Sequence, residues 1–375
     1  MNFDLTEEQL MLQEALERFG GEHYGSAERL KLLAEGSAGS RRRWKNMAEL
    51  GWVALPLPQA CGGLDGSGVD VMVTMESFGR HLMPEPFVST CVLGARLLAA
   101  GGGVTAARVL AAIPSGDTWV AGALAEGDAG FDLHRVGTHA TQVPGGFRLS
   151  GIKTHVEDGA DADWFIVPAR TRGAIDERDG VSLFLVARDA QGVVTETYRS
   201  IDYHRHARLR LDDVVVPDEA LVGPVDGGLP LLETAVRHAI AAHLAEAVGC
   251  MDVLRELTLA HLKTRRQFGV PIGSFQALQH RMVDIAIACE EACSILYYTT
   301  LQLDGDVADC RRAVAAGKAR VGQLGLYVGQ QSVQLHGGIG TTEECIVSHH
   351  LRRLMMIDLA YGNSEFHVRS FADAA

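Results

Sequence analysis

Two short stretches of this chain combine residue types that can hold a charged, flat ligand. One is Thr264-Arg265-Arg266-Gln267-Phe268-Gly269, running on to Ser274-Phe275-Gln276. It ends an amphipathic helix with two guanidinium groups, an aromatic ring and a Gly-Val-Pro turn before a new helix begins. The other is Gln334-Leu335-His336-Gly337-Gly338-Ile339-Gly340, where a second helix ends in a glycine-rich loop. Together they offer fixed positive charge, a stacking face, side-chain amides and bare backbone. A dinucleotide with its pyrophosphate needs these groups. For either segment alone, the plain alternative is a helix C-terminus closed by arginine and glycine.

Other polar residues are candidates for proton chemistry. His238 and His243 share one helical stretch with Glu246, which is read as structural, and for the histidines a base and a satisfied helix histidine both remain open. Asp202, His204 and His206 cluster before a strand and carry no assignment. Seven cysteines occur at irregular spacing, with Cys289 and Cys293 one helical turn apart. No histidine or cysteine partners stand at zinc-ligand spacing, so free thiols in a reducing cytosol are expected and no metal is assigned.

Composition limits the function classes. The 375 residues are 47% hydrophobic, enough for two or three domains. A net charge of −13 argues against a nucleic-acid partner. The basic triplet Arg41-Arg42-Arg43 is read as a solvated helix face. The start, Met1 to Glu8, is acidic and lacks the basic and apolar regions of a secretory signal. No apolar run reaches the roughly 20 residues of a membrane span. A cytoplasmic location is expected.

The elements that would position these groups fall into three textures. Residues 1–115 read as helical, with Thr6 and Gln9 forming a capping box and Leu12, Ala15, Leu16 and Phe19 an apolar stripe. Residues 116–224 read as short strands. Trp164 to Ala169 and Val181 to Val186 are apolar runs, and Ala207 to Asp212 alternates, which places one face in water. With no helices between, these suggest an antiparallel barrel or sandwich. Residues 225–375 return to helical period, with helices expected at about 229–266, 275–303, 307–335 and 343–361 and short links between them, as in a four-helix bundle.

This α+β order of N-terminal helical domain, central antiparallel β-barrel or sandwich and C-terminal four-helix bundle, together with both glycine-ended segments, resembles the acyl-CoA dehydrogenase family of flavoenzymes. The resemblance runs from Phe3 to about Phe371. Within the family, Gly269 to Arg281, Val333 to Gly340 and Arg353 to Asp358 are most similar to the small subunit of pimeloyl-CoA dehydrogenases. Several expectations follow from the resemblance. FAD is the cofactor, and Arg265, Phe268, Gln276, Gln334, Gly337 and Gly338 grip its adenosine and pyrophosphate for a neighbouring subunit. An acyl-CoA is oxidised to the 2-enoyl-CoA, and electrons leave through an electron-transfer flavoprotein. The chain works as a homo-oligomer or as a heteromer with a second dehydrogenase subunit.

The chain departs from the family pattern in two places. Of the residues that face the flavin ring, Glu126, Gly130, Asp132 and Lys153 match, but Ala125, Phe131, His155 and Glu157 stand where hydroxyls and a tryptophan are usual. The catalytic glutamate is absent from both family positions, which carry Tyr361 and Ala239. The catalytic base is therefore unassigned. Two readings stay open: a subunit whose partner supplies the base, and a non-catalytic homologue that binds flavin or acyl-CoA.

Overall fold

The computed structural model describes residues 4–25 and 29–374. The first three residues of the acidic start, where the resemblance begins, lie outside them. The helices of the N-terminal part are α1 (Glu7–His23), α2 (Arg29–Glu49), α3 (Gly68–His81), α4 (Ala95–Gly101) and α5 (Val104–Ala112). The capping box forms: the Gln9 amide N–H donates to Thr6 Oγ1 (3.2 Å) and the Thr6 N–H donates to Gln9 Oε1 (3.0 Å). Leu16 and Phe19 of the apolar stripe are buried. α2 is interrupted at Gly36. A π-helical segment, Phe87–Gly94, precedes α4 where the sequence suggested an ordinary helix.

Eight strands form the central sheet: β1 (Val120–Gly122), β2 (His139–Val143), β3 (Gly146–Val156), β4 (Trp164–Arg170), β5 (Val181–Ala187), β6 (Val193–Arg199), β7 (Arg205–Pro217) and β8 (Leu221–Val222). Their order is β6-β7-β3-β2-β4-β5-β8, with β1 also on β4. Most pairings are antiparallel, as expected from strands joined without helices. The exceptions are β1 and β2, which lie parallel to β4 at opposite ends of one edge. A purely local reading misses this because non-sequential pairing is invisible in strand period. Leu149, Phe165, Val167, Phe184, Val186, Leu209 and Leu211 converge in one core.

The C-terminal helices are α6 (Gly228–Thr264), α7 (Gln276–Leu301), α8 (Val307–His336), α9 (Ile346–Leu359) and α10 (Ser364–Asp373). Between α6 and α7 lies a small hairpin, β9 (Arg266–Gln267) with β10 (Val270–Pro271). The fold is thus helical, then β, then helical.

By contact the chain divides into two compact units that do not follow chain order. One takes the described residues of 1–34, 68–84 and 240–375, and the other 35–67 and 85–239. In the first unit α3 packs against α6 at a crossing where side chains are excluded. A Cβ on Gly79 would stand 1.9 Å from the Glu246 carbonyl oxygen, and one on Gly249 2.0 Å from that of Glu76. Only glycine admits backbones this close.

In the second unit the basic triplet corrects the solvated-face reading. Arg43 is buried and paired with Glu85 (2.8 Å) and Glu35 (2.8 Å). Arg41 bonds Asp163 (2.9 Å) and lies 4.1 Å from the Trp119 ring centroid. Only Arg42 is well exposed. Consecutive helical residues point about 100° apart, so three in a row cannot share one wet face.

Candidate functional site

The hairpin after α6 is built to display one ring. Gln267 pairs with Val270 and Arg266 with Pro271, which leaves Phe268-Gly269 as a two-residue turn. Both turn residues have positive φ (53° and 83°), the signature of a type I′ turn. Asparagine followed by glycine is the usual pair in such a turn. A phenylalanine there costs on the order of 1 kcal/mol of backbone strain and leaves its ring outside the core. Phe268 is 91% exposed, with Phe275 edge-on at 6.1 Å. The Ile272 N–H donates to the Arg265 carbonyl (2.8 Å), which ties the base of the hairpin to the helix end.

The second segment closes α8. Gly337 takes φ 66° and ψ −146°, and its N–H donates to the carbonyls of Gln334 and Val333. A Cβ built on Gly337 or Gly338 would meet nothing within 4 Å. Packing inside the chain therefore does not demand a bare backbone at Gly338, and the space over it is open.

The two segments meet through a pair that the sequence reading did not single out. His261, in the last turn of α6, stacks on His336, the last residue of α8, with ring centroids 4.4 Å apart and planes 28° apart. The stack sets the two helix C-termini side by side. Arg265 follows His261 by one turn, and Gly337-Gly338 follow His336 directly. Arg265, Phe268, Gln276, Gln334, Gly337 and Gly338 are all exposed. Gln276 opens α7 beyond the hairpin, and no bond joins it to the α8 segment. The one signal available in the sequence was that both histidines lie in the last turn of their helices, where cations suit the negative dipole end.

This donor set suits the nucleotide end of FAD. It has a guanidinium for the diphosphate, an exposed ring for a base to stack on, side-chain amides, and a glycine pair with room above it.

The two family positions for a base hold no carboxylate. Ala239 is buried in α6. Tyr361 sits in the turn between α9 and α10 at φ 55°, and its carbonyl accepts from His367 Nε2 (3.0 Å). Its ring lies 5.9 Å from that of His243. The His243 Nδ1 is 3.1 Å from Glu246 Oε2, and Arg353 grips the same carboxylate in bidentate fashion (2.6 and 2.8 Å). Burial works to raise the Glu246 carboxyl. The Arg353 charge and the His243 hydrogen bond overcome it and hold the pKa at about 2. Glu246 is thus a fixed anion tying α6 to α9, and unsuited to accepting a proton at neutral pH. Lys318, fully buried, donates to the carbonyls of Ile357 (2.6 Å) and Asp358 (2.7 Å), capping α9 just before the Tyr361 turn.

In the β region, Glu126 and Lys153 find each other. The buried Lys153 Nζ donates to Glu126 Oε1 (2.6 Å) and to the Pro168 carbonyl (2.8 Å). The same carboxylate accepts from the N–H groups of Gly137 (2.6 Å) and Thr138 (3.0 Å). Burial pushes the Glu126 carboxyl up, but Lys153 outweighs it and the pKa ends below its ordinary value. This pair pins the 125–138 loop to the sheet. Beside it, His155 stacks on His206 at 4.3 Å and its Nδ1 meets the Tyr198 hydroxyl (2.6 Å). The His206 Nε2 in turn meets Ser200 Oγ (2.9 Å), and Ser200 bonds Asp202. Burial and then the charge of His155 push His206 down to about 3, so it is neutral.

A helical–β–helical chain whose bundle ends carry such a rim is the architecture of a class of flavin-dependent dehydrogenases. Comparison with known proteins agrees along the chain: residues 6–117 match the acyl-CoA dehydrogenase N-terminal domain, 121–214 the middle domain and 226–375 the C-terminal domain. The chain belongs to the acyl-CoA dehydrogenase family. It is similar to the probable acyl-CoA dehydrogenase YngJ of Bacillus subtilis, at 28% identity over 97% of each chain. Among solved structures it shares its fold with the FAD complex of PigA (23% identity, TM-score 0.89, 100% of this chain and 98% of that one). It shares it also with the ChsE4–ChsE5 complex of Mycobacterium tuberculosis (22% identity, TM-score 0.87, 100% and 98%). Among the described residues no helix is long and apolar enough to cross a membrane.

Proposed function

We propose that this chain is a subunit of an FAD-dependent acyl-CoA dehydrogenase, and that Arg265, Phe268, Gln276, Gln334, Gly337 and Gly338 hold the adenosine and pyrophosphate of the cofactor. The observation that carries the reading is the rim itself: two segments far apart in sequence are joined at one end of the bundle by the His261–His336 stack, with Arg265 and the glycine pair alongside. Bound FAD would accept the β-hydride of a CoA thioester. The residues of this chain bind and orient, with Arg265 opposing the diphosphate and Phe268 flanking the adenine. Neither family base position of this chain carries a carboxylate, since Tyr361 and Ala239 stand there, and Glu246 is held as an anion, so this reading assigns the α proton to a base on a second subunit.

An intact nucleotide rim without a base fits division of labour. A second dehydrogenase subunit supplies the glutamate, and this chain completes an FAD site across the interface, as the small subunit of pimeloyl-CoA dehydrogenases would. The two-protein ChsE4–ChsE5 complex supports the plausibility of such pairing on this fold. An electron-transfer flavoprotein is the acceptor, the compartment is the cytoplasm, and the domain limits are 1–115, 116–224 and 225–375. The acyl group is unassigned. The absence of a base also supports a second reading, a non-catalytic scaffold that binds flavin or acyl-CoA.

The test has two readouts. The purified protein should carry flavin absorbance, and Arg265→Ala should weaken FAD binding about tenfold or more, as expected for loss of a charge-assisted phosphate contact. An unchanged affinity would remove the cofactor assignment. In a dye-linked assay of acyl-CoA oxidation, the lone chain should be inactive and gain activity with its partner. Robust turnover by the lone chain would defeat the paired-subunit reading, and a colourless protein that never binds FAD would favour the scaffold.

A further inference from the structure

We propose that His261 and His336 form a second, proton-loaded half of the diphosphate site: the paired imidazoles take up protons when a dinucleotide settles beside Arg265, so that the ligand completes the rim's positive charge. This rests on the nucleotide reading of the rim and adds to it two residues and a proton linkage.

Position comes first. His261 lies in the last turn of α6, and Arg265, four residues on, follows directly after its end. The Arg265 N–H donates to the His261 carbonyl (2.8 Å), so the helix is intact up to the guanidinium. His336 immediately precedes Gly337-Gly338. Both rings are partly exposed, and they stack at 4.4 Å.

The proton inventory follows from geometry. The His336 Nδ1 lies 2.8 Å from the Ser332 carbonyl oxygen. A carbonyl only accepts, so Nδ1 carries the hydrogen and Nε2 is the atom that gains a second proton. Burial, then His336, then Arg265 hold the pKa of His261 below its ordinary value. Before a ligand binds, burial and the neighbouring cations therefore favour the neutral form of His261.

The charged neighbours that bear on His261 are His336 and Arg265, and both disfavour its protonation. The ends of α6 and the hairpin contribute Lys263, Arg265 and Arg266, and the turn after α8, Gly337–Thr341, has no charged side chain. Glu343, just beyond, is engaged by Arg352 (2.9 and 3.0 Å). A diphosphate is the missing counter-charge. Its two negative charges offset the repulsion among His261, His336 and Arg265 and raise both imidazole pKa values. Proton uptake on binding means that affinity increases as pH falls. The slope is up to about tenfold per pH unit for each proton taken up. The diphosphate diester of FAD does not titrate between pH 6 and 8.5, so a slope there belongs to the protein.

FAD affinity is to be measured by fluorescence from pH 6 to 8.5, on the protein in its native assembly, for the wild type, Arg265→Ala and the double variant His261→Phe/His336→Phe. The double variant keeps a stacked ring pair and loses the protons. Wild-type affinity should rise towards pH 6 and the double variant should be flat. Equal slopes in the two, including two flat profiles, would overturn the inference while leaving the Arg265 assignment standing. Failure of FAD to bind the wild type at any pH would instead overturn the nucleotide reading and this inference with it. If the double variant does not fold, imidazole C2–H NMR titration of the wild type decides. Upward shifts of the His261 and His336 pKa values on adding FAD support the proposal, and unchanged values overturn it.

Discussion

Glu246 illustrates how a buried carboxylate is kept ionised and thereby kept out of acid–base work. Its two oxygens are taken by Arg353 and His243, and its pKa of about 2 lies well below that of a free glutamate. A folded-state pKa below the unfolded one means that the group stabilises the fold fully above pH ~4.5 and loses that contribution as pH falls towards 2. Removing one member of the pair leaves an uncompensated buried charge. Arg353→Met is therefore expected to lower unfolding stability by about 3–5 kcal/mol in urea titration, while Arg353→Met with Glu246→Gln should recover part of the loss. A double variant no better than the single one would show that packing, rather than the stranded charge, sets the cost.

At the scale of the element, the β9–β10 hairpin carries a conflict between stability and exposure. Its turn wants asparagine before Gly269, and it holds Phe268 at φ 53° with the ring in solvent. Phe268→Asn should relieve the strain, raising stability by up to about 1 kcal/mol or leaving it unchanged. The same change should weaken FAD binding, since the stacking face is lost. Thermal unfolding and FAD titration of one variant check both halves. A clear drop in stability would mean that the ring's contact with Phe275 holds the hairpin.

At the scale of the whole molecule, the charge balance sets an acid limit. His206, His238 and His350 are held down at about 3 and His367 at about 4, in each case mainly by burial. Their unfolded counterparts titrate near 6.5. Below that pH the unfolded chain binds protons that the folded chain refuses, so stability falls as pH falls. Each histidine contributes about 1.4 kcal/mol per pH unit at most, so the loss between pH 6 and 4 is steep. Denaturant midpoints across pH 4–8 should show it. A midpoint independent of pH over that range would mean that these imidazoles are reached by water. His206 and His238 belong to one compact unit and His350 and His367 to the other, so acid acts on both.

The amino-acid sequence by itself determined the helical–β–helical order, the Thr6–Gln9 cap, the alternation of β7 and the types of residue at the ends of α6 and α8. It also determined that no carboxylate stands at positions 239 and 361. All of these are written in neighbours one to four residues apart, where period, capping and turn chemistry act. Only the tertiary structure decided that His261 meets His336, that Lys153 spends its charge on Glu126, that Arg43 is buried against Glu85, and that β1 and β2 lie parallel to β4. Those outcomes depend on which faces of distant segments are pressed together when the apolar surface is buried. Many pairings satisfy the same local pattern, and burial of a particular partner selects among them.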